Sequence, residues 1–308
     1  MRHWEIEPMQ PTKYIWMNGS FVPWEEAKVH VMTHALHYGG GAFEGIRVYK
    51  TDQGPAVFRL KEHMERLLYS ANALALQIPF SNEALCEATC ELLKRNELEQ
   101  GYIRPLAYYG YGVMGLNPRN SPTDVAISCW PWGAYHAVDQ VDIKVSSYIR
   151  IHPRSTVADA KICGHYVNSI LAVLELRGTK YHEALFLDAD GNIAEGPAEN
   201  FFMVKDGVLT TPPLGTILSG ITRRTVLELA KDFGIQVVER PLTLDEALQA
   251  DEAFFTGTAA EVTPIKTIDD QIIGDGSIGP VSRKLKTAYL EVVYGRNPGY
   301  YRFLTFVS

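Results

Sequence analysis

Four segments of the 308-residue chain carry side chains whose types and spacing suit covalent and anion-binding chemistry. The first is Ala158-Asp-Ala-Lys161-Ile-Cys-Gly-His-Tyr166-Val-Asn168. Lys161 stands ahead of a strongly apolar stretch in which Val167, Ile170, Leu171 and Leu174 follow the helical period. Alone, such a lysine reads as one that snorkels its amine to water. The second is Ile193-Ala-Glu195-Gly-Pro-Ala-Glu199-Asn200-Phe-Phe, where Glu195 closes one strand and Asn200 opens the next. Alone, it reads as a loop. In the third, Leu218-Ser-Gly220-Ile221-Thr222-Arg223-Arg224, Gly-Ile-Thr opens a helix. The N–H groups at a helix start attract an anion, although an ordinary capped helix is an equal reading. The fourth, Gly257-Thr258-Ala259-Ala260-Glu261, ends a strand with small residues and a hydroxyl, a composition that suits a backbone nest for phosphate or carboxylate. Together the four offer an amine, a carboxylate and two anion-binding stretches of backbone.

Other patterns imitate sites. Gly110-Tyr-Gly112-Val-Met-Gly115 fits G-x-G-x-x-G, but a dinucleotide site needs a helix to open at that loop. Leu116-Asn117-Pro118 and then Pro122 follow, so no helix starts well there. His30, His34 and His37 have no acidic partner at the metalloprotease offset and read as packing or hydrogen-bonding groups. The four cysteines, Cys86, Cys90, Cys129 and Cys163, form no C-x-x-C pair and are expected as buried, reduced thiols.

The elements that must position these residues are legible in the periodicity. Met64, Leu67, Leu68, Ala71, Leu74 and Ala75 mark one helical face. Ser81 is the expected N-cap of a second helix that presents Leu85, Ala88, Leu92 and Leu93. From Glu183 to Thr211 the pattern is of strands turned by Asp190-Gly191 and Asp206-Gly207. Val226, Leu229, Ala230 and Phe233 predict a helix that Gly234 ends, Thr243 and Glu246 a capping box, and 280–294 a last helix. A break is expected near 133–140, after Cys-Trp-Pro-Trp-Gly-Ala-Tyr. With 46% hydrophobic residues, 21% charged residues and a net charge of −7, the chain has an ordinary globular composition and no basic excess for nucleic acid or anionic membrane. The first residues carry no apolar leader and no apolar run is long enough to span a bilayer, so the cytoplasm is the expected compartment.

From about Tyr14 to Tyr294 the chain resembles the class IV aminotransferases, the fold-type IV pyridoxal-phosphate enzymes, and within them the branched-chain aminotransferases. The stretches HALHYGGGAFEGIRVY, VFRLKEHMERL, GYIRPLAYYGYGVMGLNP, CWPWGAY, LSGITRR and FFTGTAAEVTP carry the resemblance, in that order. It implies a mixed α/β (α+β) chain of two domains. These would be a small N-terminal α/β domain over 1–133, a linker at 134–140 and a larger C-terminal cofactor-binding domain over 141–308 with a β-barrel-like core. Lys161 would form the Schiff base with pyridoxal 5'-phosphate, Glu195 would meet its pyridine nitrogen and Tyr166 its phenolic oxygen. Arg66, Ile221, Thr222 and Thr258 would hold the phosphate. Tyr102, with backbone groups of Thr258 and Ala259, would take the substrate α-carboxylate, and Arg104 the side-chain carboxylate of glutamate. Phe43, Trp132 and Tyr135 would line the apolar pocket. Tyr38 and Leu116 would come from the neighbouring subunit, making a homodimer the minimum working unit.

The implied reaction moves an amino group between leucine, isoleucine or valine and 2-oxoglutarate. Such a reaction needs a carboxylate beside the ring nitrogen and a lysine whose amine is shifted well below its usual ~10.4. Lys161, Glu195 and Arg66 would equally serve a D-amino acid aminotransferase, an (R)-amine transaminase or an aminodeoxychorismate lyase. The Tyr102-Ile-Arg104-Pro segment and the 110–118 loop favour the branched-chain group. A cofactor-binding protein without turnover is the reading from another class. The chain departs from the family pattern at His165, where Asn is usual, and at the glycine run Gly39–Gly41.

Overall fold

The computed structural model describes residues 8–133, 135 and 138–307. The expected linker at 134–140 falls partly outside that set, as do the first seven residues read for a leader. The chain is mixed α/β and folds into two compact units. The N-terminal unit ends its first stretch at Gly133 and also takes Ala160–His165 and Val292–Ser308, so the units are not consecutive lengths of chain. The C-terminal unit is the larger.

The N-terminal unit is built on an eight-stranded sheet in the order β16 (Leu304–Phe306), β5 (Gly54–Phe58), β4 (Ile46–Thr51), β6 (Gly101–Tyr109), β7 (Thr123–Trp130), β1 (Tyr14–Met17) and β2 (Ser20–Pro23), with β3 (Gly41–Phe43) also paired to β6. Strand β7 alternates strictly: Val125, Ile127 and Cys129 are buried while the residues between them are half-exposed. Helices α2 (Leu60–Ala73) and α3 (Asn82–Arg95) supply Met64, Leu67, Ala71, Leu85, Leu92 and Leu93 to the same core as Ile46, Val48 and Ile103. Ser81 caps α3, its Oγ accepting from Ala84 N at 3.2 Å. Helix α2 stops two residues short of the expected face. Ala75 turns left-handed (φ 56°), so that Leu76 N reaches back to Ala71 O at 3.0 Å and Leu76 is the residue that buries. Of the cysteines only Cys129 is fully buried; Cys86, Cys90 and Cys163 are half-buried, and all four are free thiols. Partial burial pushes the Cys86 thiol up to about 12, so it stays a protonated thiol.

The sheet of the C-terminal unit runs β12 (Val237–Glu239), β11 (Val208–Thr211), β10 (Asn200–Lys205), β13 (Glu252–Gly257), β14 (Glu261–Ile268), β8 (Val141–Val145) and β9 (Glu183–Leu185), with β15 (Gln271–Ile272) on β14. Beyond β9 the ladder continues. Phe186 N donates to Glu195 O and Ala194 N to Phe186 O, both at 2.9 Å, and Glu195 bridges Asn200 at the start of β10. The path β10-β13-β14-β8-β9 is thereby brought back to β10, which makes the core barrel-like, with Glu195 at the seam. Val141, Ile143, Leu185, Ile193, Phe201, Met203, Phe255 and Ile265 fill the interior. Asp206-Gly207 turns β10 into β11, and Thr243 and Glu246 form the capping box of α6 (Leu244–Leu248). Helix α5 (Ile221–Asp232) covers β13, and α7 (Pro280–Val293) is the last helix. Helix α4 (Tyr166–Leu174) turns its apolar side outward: Val167 is 58% exposed and Ile170 56%. No helix among the described residues is long and apolar enough to cross a membrane.

Leu67 is fully buried where α2 meets the sheet. Leu67→Ala is expected to destabilise the chain by about 2–5 kcal/mol, read as a lower midpoint in denaturant unfolding.

Candidate active site

In the N-terminal unit, Lys161 is placed by an extra strand-like segment laid beside β3. Phe43 N donates to Lys161 O at 3.1 Å, Ala42 bridges Ile162, and Gly164 N donates to Gly39 O at 3.1 Å. The N–H of Lys161 donates to Ser70 Oγ on α2 at 2.9 Å. This close approach accounts for one residue of the glycine run. Gly39 ends α1 (His34–Tyr38) at φ 68°, and a Cβ there would stand 2.9 Å from Gly164 Cα.

A buried charge cluster surrounds the amine. Glu44 follows β3 and is fully buried. Its carboxylate accepts from Arg66 Nε at 2.6 Å and Nη2 at 2.9 Å, and pairs with His63 Nδ1 at 2.7 Å. His63 and Arg66 stand three residues apart on α2 and so share a face. Burial by itself would raise the Glu44 carboxyl; the Arg66 charge and His63 overcome it and hold the group well below the usual carboxylate range. His63 is pushed down by burial more than Glu44 pulls it up, so its ring is neutral at pH 7 and Nδ1–H is the donor to Glu44. Lys161 is driven down to about 8, first by burial and then by the Arg66 cation, against the opposing pull of Glu44.

The wall beside the amine is aromatic and cationic. The Phe43 ring has Lys161 Nζ at 4.9 Å and Arg104 Cζ at 4.9 Å from its centroid. Tyr102 and Arg104 lie two residues apart on β6 and therefore face the same way. Trp132 meets Tyr102 edge-on at 4.6 Å. Gly45 leaves room for the Tyr102 hydroxyl, which a Cβ would approach to 1.8 Å. Tyr135 is 40% exposed, Tyr38 45% and Leu116 86%.

In the C-terminal unit, Glu195 is buried and fixed from three sides. Arg150 Nε donates to Oε1 at 2.6 Å, Asn200 Nδ2 to Oε2 at 3.0 Å, and Leu218 N to Oε2 at 3.1 Å. Asn200 Nδ2 also donates to Leu218 O at 2.9 Å, tying the barrel seam to the approach of α5. Gly220 is the N-cap of α5, and Ile221 and Thr222 form its buried first turn. Thr258 and Ala259 form the half-buried turn between β13 and β14, and Tyr166 opens α4.

The sequence reading does not single out Glu44, His63, Ser70 or Arg150. The i, i+3 spacing of His63 and Arg66 was available as a signal. Glu44 and Arg150 lie 22 and 45 residues from the charges they pair with, and no local period shows such contacts. The imitating patterns have other roles. His34 Nε2 bonds Gly115 O at 2.9 Å and His37 Nε2 bonds Val31 O at 3.0 Å. The stretch 110–122 is loop.

A fold of this kind, with a desolvated lysine beside a paired arginine, defines a class. The sequence model of the class IV amino-transferases matches residues 41–268, and the chain belongs to that family. Within it, the similarity is to branched-chain-amino-acid aminotransferases. The one from Pseudomonas aeruginosa is 46% identical over 298 residues, covering 96% of this chain and 97% of that one. A solved branched-chain amino acid aminotransferase of T.th., complexed with N-(5'-phosphopyridoxyl)-L-glutamate, matches with a TM-score of 0.94 at 48% identity, over 97% of this chain and 100% of that one. The same T.th. aminotransferase complexed with 4-methylvaleric acid matches at 0.92 and 46% identity, over the same shares.

An amine titrating near 8 has a distinct labelling profile. In the cofactor-free chain, the rate of acylation of Lys161 should rise through about pH 8 and level off above it, whereas surface lysines keep gaining reactivity toward ~10.4. Arg66→Gln should move the Lys161 midpoint upward by removing a neighbouring cation. A midpoint as high as that of surface lysines, mapped by mass spectrometry across pH, would refute the desolvated amine.

Proposed function

We propose that the chain binds pyridoxal 5'-phosphate and transfers the amino group of L-leucine, L-isoleucine or L-valine to 2-oxoglutarate, giving the branched 2-keto acid and L-glutamate, reversibly and by ping-pong. The observation that carries this reading is the Lys161 amine, held near 8 by burial and Arg66 beside an aromatic wall. The residues present suit the cofactor: a nucleophilic amine, a carboxylate whose both oxygens are anchored, and a helix start capped by Gly220. When bound, pyridoxal phosphate supplies an electron sink for the carbanion at the substrate α-carbon.

In this reading Lys161 would hold the cofactor, and its amine would carry the proton taken from the substrate α-carbon. A pKa of about 8 leaves a useful fraction of free base at neutral pH. Glu195, fixed by Arg150, Asn200 and Leu218 N–H, would meet the pyridine nitrogen and favour its protonated form. Tyr166 would donate to the cofactor's phenolic oxygen. Arg66, Ile221, Thr222 and Thr258 hold the phosphate. Tyr102 and the backbone of Thr258 and Ala259 bind the α-carboxylate, and Arg104 catches the distal carboxylate of glutamate. Phe43, Trp132 and Tyr135 line the side-chain pocket. A pocket of this kind separates ligands differing by one methylene by only ~1–3 kcal/mol, so all three branched substrates are accepted.

The same reading makes the working form at least a homodimer in the cytoplasm, each protomer lending Tyr38 and Leu116 to its neighbour. The exposure of Leu116, Val31 (71%), Leu36 (62%) and the outer side of α4 supports an apolar contact between copies.

The visible spectrum of the purified protein tests the proposal. The cofactor band should bleach on adding L-leucine without any keto acid, and D-leucine should leave it unchanged. A band indifferent to L-leucine moves the substrate to another enzyme of the class, and no band after added pyridoxal phosphate removes Lys161 as anchor. Arg104→Ala should lower kcat/KM for glutamate roughly tenfold to a hundredfold, the scale of a lost charge-assisted hydrogen bond, with leucine much less affected. Loss of leucine turnover with glutamate turnover intact would contradict the role given to Arg104.

A further inference from the structure

We infer that Glu44 is a positioning residue that gives the site its grip on the cofactor's phosphate, by holding Arg66 in the orientation that phosphate requires. The inference rests on the reading above, in which Arg66 binds that phosphate, and extends it to residues that touch no ligand.

Glu44 has no exposure, and its carboxylate engages the Nε–Nη2 edge of the guanidinium through both oxygens, at 2.6 and 2.9 Å. Two parallel bonds fix the plane of the guanidinium as well as its position. An arginine tethered by this edge presents its Nη1 group on the other side, in a direction set by the carboxylate. Left to itself, a long side chain would lose much rotamer freedom on meeting an anion, and prior tethering removes that cost from the binding step.

His63 completes the arrangement. Its Nδ1 binds Glu44 Oε2 at 2.7 Å, so the carboxylate is fixed from a second direction on α2. The ring is fully buried, and Nε2 has no hydrogen-bond partner among the described residues. A neutral imidazole in this place orients Glu44 without cancelling its charge. Glu44 at −1 and Arg66 at +1 then make a neutral pair, and His63 adds no further cation beside Lys161. A glutamine at position 44 could copy the shape but not the charge. It would remove the negative charge that faces Arg66 through both oxygens, which raises the cost of keeping the guanidinium inside.

A role in orientation differs from a merely structural one in what it predicts for ligands with and without the phosphate. The full chain is stripped of cofactor and refilled with pyridoxal 5'-phosphate or with pyridoxal, and the two dissociation constants are measured by absorbance and equilibrium dialysis for wild type, Arg66→Gln, Glu44→Gln and Glu44→Asp. Glu44→Gln should weaken pyridoxal 5'-phosphate roughly tenfold or more, the scale seen when the orienting partner of a ligand-binding group is removed, while pyridoxal changes by less than about twofold. Glu44→Asp keeps the charge on a shorter stem and should fall in between; it carries the test if Glu44→Gln does not fold. If Arg66→Gln loses the preference for the phosphorylated form and both Glu44 variants retain it, the inference is overturned while the phosphate role of Arg66 stands. Equal weakening of both ligands in the Glu44 variants also overturns it. If Arg66→Gln itself keeps the preference, the phosphate assignment fails and the inference falls with it.

Discussion

A charge taken out of water must be answered by another charge or by several hydrogen bonds, and this chain is organised around that constraint. Glu44 is answered by Arg66 and His63, and Glu195 by Arg150, Asn200 and the Leu218 N–H. Lys161 is balanced differently. Its burial and the neighbouring guanidinium of Arg66 outweigh the opposing pull of Glu44 and Tyr102, so the amine sheds its proton more readily than a lysine in water. The site therefore rests on an imbalance, in which Glu44 is held charged while the Lys161 amine is brought down to about 8.

The sheets explain how such groups are held still. Each sits where backbone pairing is dense. The Lys161 segment pairs beside β3, Tyr102 and Arg104 belong to the nine-residue strand β6, and Glu195 lies at the seam that returns the C-terminal sheet to β10. A side chain on a ladder inherits the rigidity of the ladder, and the alternation of a strand decides which neighbours it can meet. The glycines at 39 and 45 allow the lysine segment and the Tyr102 hydroxyl to approach as closely as they do.

Much of this was legible in the sequence, for definable reasons. Helix faces such as Met64, Leu67 and Ala71, the Ser81 cap, the Asp206-Gly207 turn and the Thr243–Glu246 box are local signals, and the structure carries them. The apolar period runs past the end of α2 because a left-handed alanine at 75 interrupts the helix without interrupting the pattern. Glu44 and Arg150 were not visible as partners of Arg66 and Glu195, because pairing across tens of residues is decided by strand order. The exposure of Val167 and Ile170 was likewise hidden, since apolar periodicity marks a face without saying what covers it.

Strand β16 and the lysine segment both reach the N-terminal unit from far along the chain: β16 closes on β5, and residues 160–165 on β3. During synthesis the first sheet must wait with β5 as an open edge until residues 304–306 have been made. An unpaired edge is a template for the wrong neighbour. It follows that the sheet against which the reactive amine is laid is completed at its β5 edge only by a strand made after the lysine segment. The first unit thus depends for its completion on sequence that lies beyond the second, and neither can be cut out as one uninterrupted length of gene.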